Sequence, residues 1–127
     1  MKLIYIAIGL LMTLSVNAGQ IEITSQSPVQ LEGRHSLNFG TVWVNSRVVQ
    51  YFNLRNTGTT PLNYKGAYIY GGDFSADQSC VRGLLPNETC SFSIAYWPMF
   101  EGMSSGRFVL SFIEDDVDFD LWGQARR

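Results

Sequence analysis

Short runs in which apolar and polar residues alternate are the feature of this sequence that most limits its fold. In residues 90–96, for example, Cys90, Phe92, Ile94 and Tyr96 are separated by serine and alanine. A period of two residues is typical of strands with one buried face, and no run keeps the helical period of 3.6 over a useful length. We predict seven strands, at residues 21–24, 37–44, 48–55, 62–70, 90–96, 107–112 and 117–122.

Glycine, proline, asparagine and aspartate separate these runs and predict turns. Residues 56–61 predict a turn in which Asn56 and Gly58 supply positive φ angles and Pro61 has a fixed φ. Residues 74–85 show no regular alternation, and we expect them to be irregular.

The first 18 residues have the layout of a secretory signal peptide. Lys2 provides a positive start, residues 3–14 are almost wholly apolar, and small residues precede a cut after Ala18. A transmembrane anchor is the alternative, but a span needs roughly 20 apolar residues. No later run is long enough to cross a membrane. We therefore expect a periplasmic or secreted protein consisting of residues 19–127.

The two cysteines, Cys80 and Cys90, are predicted to form a disulfide. Export places them in an oxidising compartment, where an even pair is typical of a structural bridge. A redox or metal-binding pair is the alternative. A redox pair usually has C-x-x-C spacing, a metal site needs further ligands, and the single histidine, His35, lies far away in the sequence.

Seven short strands in about 100 residues with one disulfide indicate an all-β, immunoglobulin-like antiparallel β-sandwich. A small β-barrel is the structural alternative. No repeat or linker is evident, so we predict a single domain over residues 19–127. Without Lys2, eight basic and eleven acidic side chains remain, and no basic stripe is present. This composition argues against a nucleic acid partner.

No set of residues in the sequence points to catalysis. A catalytic site needs a base, a nucleophile or paired carboxylates in a pocket, and His35 has no evident partner. We predict that the protein is not an enzyme and uses no cofactor.

The sharpest charge cluster lies on the last predicted strand. There Asp116, Asp118 and Asp120 share one face and form a weak calcium candidate, because Ca²⁺ prefers carboxylate oxygens. The alternative is a solvated hairpin whose charges protect an exposed sheet edge.

Aromatic residues are a stronger functional signal than the charges. Six tryptophans and tyrosines fall at strand positions that can face solvent, and both residue types are over-represented at binding surfaces. The alternative is that at least half of them pack under loops or complete the core. Three or more in one cluster would make a protein interface or a sugar-stacking platform. The candidates are Trp43, Tyr51, Tyr68, Tyr70, Trp97 and Trp122.

Several motifs, taken in order, resemble one family of immunoglobulin-like domains. Residues 37–46 are similar to the family start L-x-F-G-x-V-x-V-G-S, and residues 54–62 are very close to its L-x-N-T-G-T-x-P-L segment. This chain resembles the bacterial ASH-like domains (abnormal-spindle and hydin type), also described as choice-of-anchor D domains. The remaining similar segments are residues 72–75, 80, 85–90, 92–98 and 121–123.

The resemblance implies a non-catalytic sandwich used for interaction or as a scaffold. Asn87 stands where the family has a turn glycine, a mild departure because asparagine tolerates left-handed backbone. With the export signal, we expect a protein-binding or structural module of the bacterial cell envelope, whose open sheet edge accepts a partner strand by β-augmentation. A small carbohydrate-binding protein and a chaperone-like periplasmic subunit are the alternatives, although pilus-type chaperones need two such domains.

Overall fold

The computed structural model describes residues 15–18, 21–25, 31–32 and 36–127. These residues form ten strands, and none of the described segments is a helix able to cross a membrane. All seven predicted strands are present, several with shifted ends, so the all-β prediction is confirmed. The strands are β1 (Ser15–Ala18), β2 (Ile21–Ser25), β3 (Leu31–Glu32), β4 (Ser36–Trp43), β5 (Val48–Asn56), β6 (Tyr64–Tyr70), β7 (Phe74–Gln78), β8 (Thr89–Tyr96), β9 (Gly102–Phe112) and β10 (Asp116–Arg126).

The strands form two five-stranded sheets around one core. Sheet A has the order β1-β2-β5-β8-β7, and sheet B has the order β3-β4-β10-β9-β6. Strands β4 and β10 run parallel, whereas the other described pairs are antiparallel. The prediction of a wholly antiparallel sandwich is wrong for the β4–β10 pair. Alternation indicates which face of a strand is buried, but it does not indicate whether the neighbouring strand runs parallel or antiparallel. Strands β6 and β7 are edge strands that meet on one side of the sandwich.

Aromatic rings join the two sheets across the core. Phe92 of β8 is 2% exposed, and its ring centre lies 5.0 Å from that of Phe52 in the same sheet. The same ring lies 5.4 Å from Phe108 and 5.8 Å from Phe119, both of sheet B. Burying one such side chain contributes about 1.5–3 kcal/mol. The inner face predicted for residues 90–96 is therefore the centre of the core.

Gly123 gives the buried ring of Tyr96 its space. A Cβ atom at position 123 would lie 2.4 Å from Cε2 of Tyr96, which is well inside contact distance. The register between β4 and β10 shifts between Trp122 and Gln124, so the glycine lies at a bulge. This contact explains why the closing motif of the chain needs a residue without a side chain at position 123.

Asn56 acts through its side chain, and the prediction of positive φ at Asn56 and Gly58 is wrong. The positive φ angles among the described non-glycine residues are at Asn45 and Asn87, and Gly58 is not among the glycines that have one. The buried Asn56 amide instead donates to the carbonyl oxygens of Thr60 at 2.9 Å and Leu84 at 3.0 Å. Its Oδ1 accepts from the Gly58 N–H at 2.9 Å. The hydrogen bonds of the buried Asn56 side chain, and not a positive φ angle, therefore hold the turn in place.

Residues 74–78 form strand β7, so the prediction of an irregular segment is wrong for this part of residues 74–85. The alternation is weak there because Phe74 is the one large apolar residue that the strand buries. Beyond β7, Cys80 forms the predicted disulfide with Cys90 of β8. By loop-closure entropy, a ring of this size stabilises the fold by about 2.5–3 kcal/mol.

Strand β1 coincides with the last four residues of the predicted signal peptide. It pairs antiparallel with β2, from Ser15 opposite Thr24 to Ala18 opposite Ile21. Cleavage after Ala18 stays a prediction, and it would leave β2 as an edge strand of sheet A. Residues 1–14 and His35 lie outside the described part of the chain.

Candidate binding surfaces

All six candidate aromatic residues are solvent-exposed, with exposed fractions from 45% for Trp122 to 64% for Trp43. The expectation that at least half of them pack under loops or in the core is therefore wrong. Five of the six lie on strands whose alternate positions carry large inward residues, so their own side chains are not needed to fill the core.

Four of these residues lie on the outer face of sheet B. Trp43 is on β4, Trp122 is on β10, and Tyr68 and Tyr70 are on β6. The structure thus gathers residues from three strands that are distant in sequence. Met103 of β9, 74% exposed, lies opposite Gln124 on the same face. We call this surface the aromatic face; it comprises Trp43, Tyr68, Tyr70, Met103, Arg107 and Trp122.

Arg107 lies within the aromatic face and is paired with Asp118 on the neighbouring strand. Its Nε and Nη2 donate to the two carboxylate oxygens of Asp118 at 2.9 and 2.6 Å. These hydrogen bonds, together with charge attraction, raise the pKa of Arg107 above its ordinary value. Because both groups are exposed, the pair orients the guanidinium more than it stabilises the fold. Tyr70 is the partner of Arg107 in the β6–β9 register, on the other side of β9 from Asp118.

A groove of about 300 Å³ crosses the aromatic face beside Trp122 and Met103. The rest of its lining comes from β4 and from the residues that follow Trp122 on β10: Asn38, Gly40, Thr41, Gly123 and Gln124. Met103 was not among the sequence candidates, because it lies before the strand predicted at residues 107–112. The signal was available: Met103, Ser105 and Arg107 continue the outward parity of β9.

The three candidate calcium ligands do not form a metal site. Asp118 is occupied by Arg107, and Asp116 accepts a hydrogen bond from Ser111 Oγ at 2.7 Å. Among the described residues, no three His, Cys, Asp or Glu side chains are placed to hold a metal ion. The alternative prediction, that these charges protect an exposed sheet edge, is also wrong. Strand β10 lies between β4 and β9 and is not an edge strand.

A second groove, of about 230 Å³, separates edge strands β6 and β7. Ala67, Ala76 and Phe108 line it together with Ile69, which lies opposite Phe108 in the register and is still 36% exposed. The outward edges of both strands are unpaired in the described sheets. The core is therefore incompletely covered where the two sheets meet at this side.

The other two aromatic candidates lie elsewhere. Tyr51 is on the outer face of sheet A, opposite Ser93. Trp97 follows β8, where its Nε1–H donates to the Asn45 carbonyl at 3.3 Å and its backbone N–H to that of Asp73 at 2.8 Å. Trp97 thus supports the turn after β4 and stands apart from the aromatic face.

A family model for the HYDIN/CFA65/VesB-like Ig-like domain matches residues 29–119. The chain belongs to this family. The match covers most of the sandwich and confirms the ASH-like resemblance. Among curated proteins, none matches this chain in sequence.

Solved structures support the same fold for this family member. The VesB protease of Vibrio cholerae is 18% identical, with a TM-score of 0.56 over 85% of this chain and 32% of VesB. The secreted serine protease VesC of Vibrio cholerae is 16% identical, with a TM-score of 0.54 over 69% of this chain and 21% of VesC. The ASH/PapD-like domain 7 of human CEP192 is 16% identical, with a TM-score of 0.53 over 100% of this chain and 97% of that domain.

The chain therefore spans about a third of VesB or less than a quarter of VesC, but nearly all of the CEP192 domain. At these identities the likeness shows the fold alone. The immunoglobulin-like sandwich predicted from alternation is thus confirmed, and no activity follows from the proteases.

Proposed function

We propose that this chain is an exported, non-catalytic module of the bacterial cell envelope that binds another protein through the aromatic face of sheet B. The observation that carries the proposal is the gathering of Trp43, Tyr68, Tyr70 and Trp122 with Met103 and Arg107 on one exposed sheet face. Tryptophan, tyrosine, methionine and arginine are the residue types enriched in protein interfaces.

The way the face is built suits binding. Its side chains stand on neighbouring, hydrogen-bonded strands, so their positions are fixed before a partner arrives. Ordering a tyrosine or tryptophan costs little, because each has only two side-chain torsions. Arg107 is already held by Asp118 and so loses little further freedom on binding.

We further propose that an extended segment of the partner adds to the free edge of β6. Strand addition supplies backbone hydrogen bonds, and alternate side chains of the added strand need pockets. The groove between β6 and β7 offers such a pocket, and filling it would cover Ile69. The new strand would lie beside Tyr68 and Tyr70, which joins the edge and the aromatic face into one site.

Export and the absence of catalysis are parts of the same proposal. The apolar leader supports export, and the Cys80–Cys90 disulfide suits an oxidising compartment. The family to which the chain belongs supports a binding module rather than an enzyme. A chaperone-like periplasmic role is the alternative.

Site-specific photo-cross-linking in the native host tests the protein-binding proposal. The photoreactive amino acid p-benzoylphenylalanine replaces Trp122 or Tyr70 in the test variants and Tyr51 or Phe100 in the matched controls, all exposed positions. We expect one envelope protein to be captured from positions 122 and 70 and not from 51 or 100. Equal capture from all four positions, or none from 122 and 70, would overturn the proposal.

A second pair of variants tests the strand-addition step. Ile69→Glu places a charge in the β6–β7 groove, whereas Ile113→Glu alters an exposed isoleucine outside it. We expect Ile69→Glu to reduce capture from position 122 at least about tenfold, as a lost contact of about 1.4 kcal/mol would do, and Ile113→Glu to leave it unchanged. Unchanged capture with Ile69→Glu would reject the edge while leaving the aromatic face in place.

A further inference from the structure

The outer face of sheet A carries a groove of about 450 Å³, called the polar groove after its outward side chains, which is separate from the aromatic face and shares only Asp77 and Gln78 with the β6–β7 groove. This size is within the range of small-ligand sites in proteins. The groove lies across β5, β8 and β7, on the opposite side of the sandwich from the aromatic face. Phe52, Gln78 and Phe92 form part of its lining, and the outward side chains are those of Tyr51, Asn53, Asp77, Ser79, Ser91 and Ser93.

The register of three strands explains the shape of the groove. Tyr51 lies opposite Ser93, which lies opposite Asp77 on the far side of β8. In the next row, Asn53 lies opposite Ser91. The small serine side chains of β8 leave space above the sheet and form the bottom of the groove. The half-exposed ring of Tyr51 forms one wall.

Part of the groove is held rigid and part is left open to hydrogen-bond a ligand. Ser79 Oγ accepts from the Ser91 N–H at 3.0 Å, and the Ser79 N–H donates to the Ser91 carbonyl at 2.9 Å. These contacts fix the end of β7 against β8. Within the described part of the chain, the side chains of Asn53, Asp77 and Ser93 make no hydrogen bond to protein. They are therefore free to donate to or accept from a ligand.

The charge of the lining restricts the ligand. Asp77 is an acidic group, and no lysine or arginine lines the groove, so a phosphate or carboxylate ligand would be repelled. One aromatic ring beside several neutral polar groups suits a ligand with an apolar ring face and many hydroxyl groups. An uncharged sugar chain has both properties, and an open groove on a sheet face admits an extended chain.

We infer that the outer face of sheet A binds an uncharged oligosaccharide. The ring of Tyr51 stacks on one sugar, Asp77 accepts hydrogen bonds from its hydroxyl groups, and Asn53 and Ser93 both donate and accept. The site goes beyond the proposed function, because it lies on the other sheet and takes a different class of ligand. One domain then holds a protein on one face and a glycan on the other.

NMR titration of the full, natively processed protein tests this inference. The probes are cellotetraose, maltotetraose, xylotetraose and N-acetylchitotetraose. We expect at least one of them to cause saturable shifts of backbone amides around Tyr51, Asp77 and Ser93. Tyr51→Ala is expected to weaken that binding by at least about tenfold, which corresponds to about 1.4 kcal/mol, and Tyr51→Phe to retain most of it because the ring is kept.

Tyr68→Ala is the matched control, because Tyr68 has a similar exposure on the other sheet. It should leave sugar binding unchanged, and Tyr51→Ala should leave capture of the protein partner unchanged. The inference is overturned if none of the four tetrasaccharides causes saturable shifts, if binding survives Tyr51→Ala, or if the shifts map to the aromatic face. The first two results would leave the proposed function untouched, whereas shifts on the aromatic face would favour sugar binding over protein binding there.

Discussion

The two outer faces of this sandwich differ in what their solvent-facing positions carry. On sheet B these positions hold two tryptophans, two tyrosines and Met103, together with Arg107 and the three outward aspartates of β10. On sheet A they hold serine, asparagine and aspartate around the ring of Tyr51, together with the ion pair of Arg55 and Glu22. Both sheets have equally apolar inner faces, because both must cover the same core. The fold therefore constrains the inner residues, whereas the outer residues are free to differ between the two sheets.

Removing the shared ring of Phe92 is expected to have the largest effect, because it supports both faces at once. Phe92→Ala leaves a cavity among Phe52, Phe108 and Phe119 and should lower the free energy of unfolding by about 3–5 kcal/mol. Urea unfolding measures this loss. Phe100→Ala, at a 79% exposed ring, should change stability by less than about 0.5 kcal/mol. Equal losses would mean that the core is not where the structure places it.

Removing the disulfide is expected to weaken the sheet A side selectively. The bond joins the end of β7 to β8, beside Ser79 and Ser91 of the polar groove. Cys80→Ser with Cys90→Ser should cost about 2.5–3 kcal/mol. Amide exchange should increase more in β7 than in β6. Similar increases in both strands would contradict a local role for the bond.

Two asparagines on β5 allow the stability contributions of the inner and outer sides of one strand to be compared. Asn56→Ala removes the buried donors to the Thr60 and Leu84 carbonyls and should cost about 1–3 kcal/mol. Asn53→Ala, on the outer face, should change stability by less than about 0.5 kcal/mol. Thermal unfolding of both variants makes the comparison. A neutral Asn56→Ala would contradict the structural role of this amide.

Loss of the Glu114 carboxylate is expected to have the smallest effect on stability, and the effect is confined to sheet B. The backbone N–H and side-chain amide of Asn63 each donate to this carboxylate at 2.7 Å, which ties the β9–β10 turn to the start of β6. These hydrogen bonds lower the pKa of Glu114 below its ordinary value. The ionised form is therefore favoured by folding, and its contribution is complete above the ordinary glutamate pKa of about 4.3. It is lost as the pH falls through the lowered value.

Glu114→Gln should therefore reduce stability slightly at neutral pH and flatten the decline of stability below about pH 4.3. Unfolding midpoints measured from pH 7 down to the acid limit check this. Asp115→Asn, in the same turn, is the control for the general loss of a surface charge. Parallel pH profiles for the wild type and Glu114→Gln would show that the carboxylate has no special role.

The inner side of the fold was predictable because alternation is local. The alternation at Cys90, Phe92, Ile94 and Tyr96 is enough to predict which face of β8 is buried. The disulfide was predictable because the chain has two cysteines. Strand β7 was missed because one large residue, Phe74, gives too weak a pattern. The role of Asn56 was missed because a turn-forming residue type looks the same whether its backbone or its side chain organises the turn.

The outer faces were predictable residue by residue but not as surfaces. Alternation correctly predicts that Tyr70 and Trp122 face solvent. They share one face only because β6 lies beside β9 and β9 lies beside β10. Those neighbours are set by long-range pairing, which local patterns do not report. The parallel pairing of β4 with β10, which brings Trp43 to the same face, is not visible in the sequence either.

Oxidative footprinting in intact cells tests the central claim, that the aromatic face of sheet B is covered by a protein. Two exposed methionines give a matched pair: Met103 lies on the aromatic face, and Met99 lies in the loop after β8. The account predicts that Met103 is oxidised several-fold more slowly in cells than in the purified protein, while Met99 reacts at a similar rate in both. If Met103 is not protected in cells, the aromatic face is free and the proposed function is wrong. Equal protection of Met103 and Met99 would also contradict the account, because the protection would not be specific to the aromatic face.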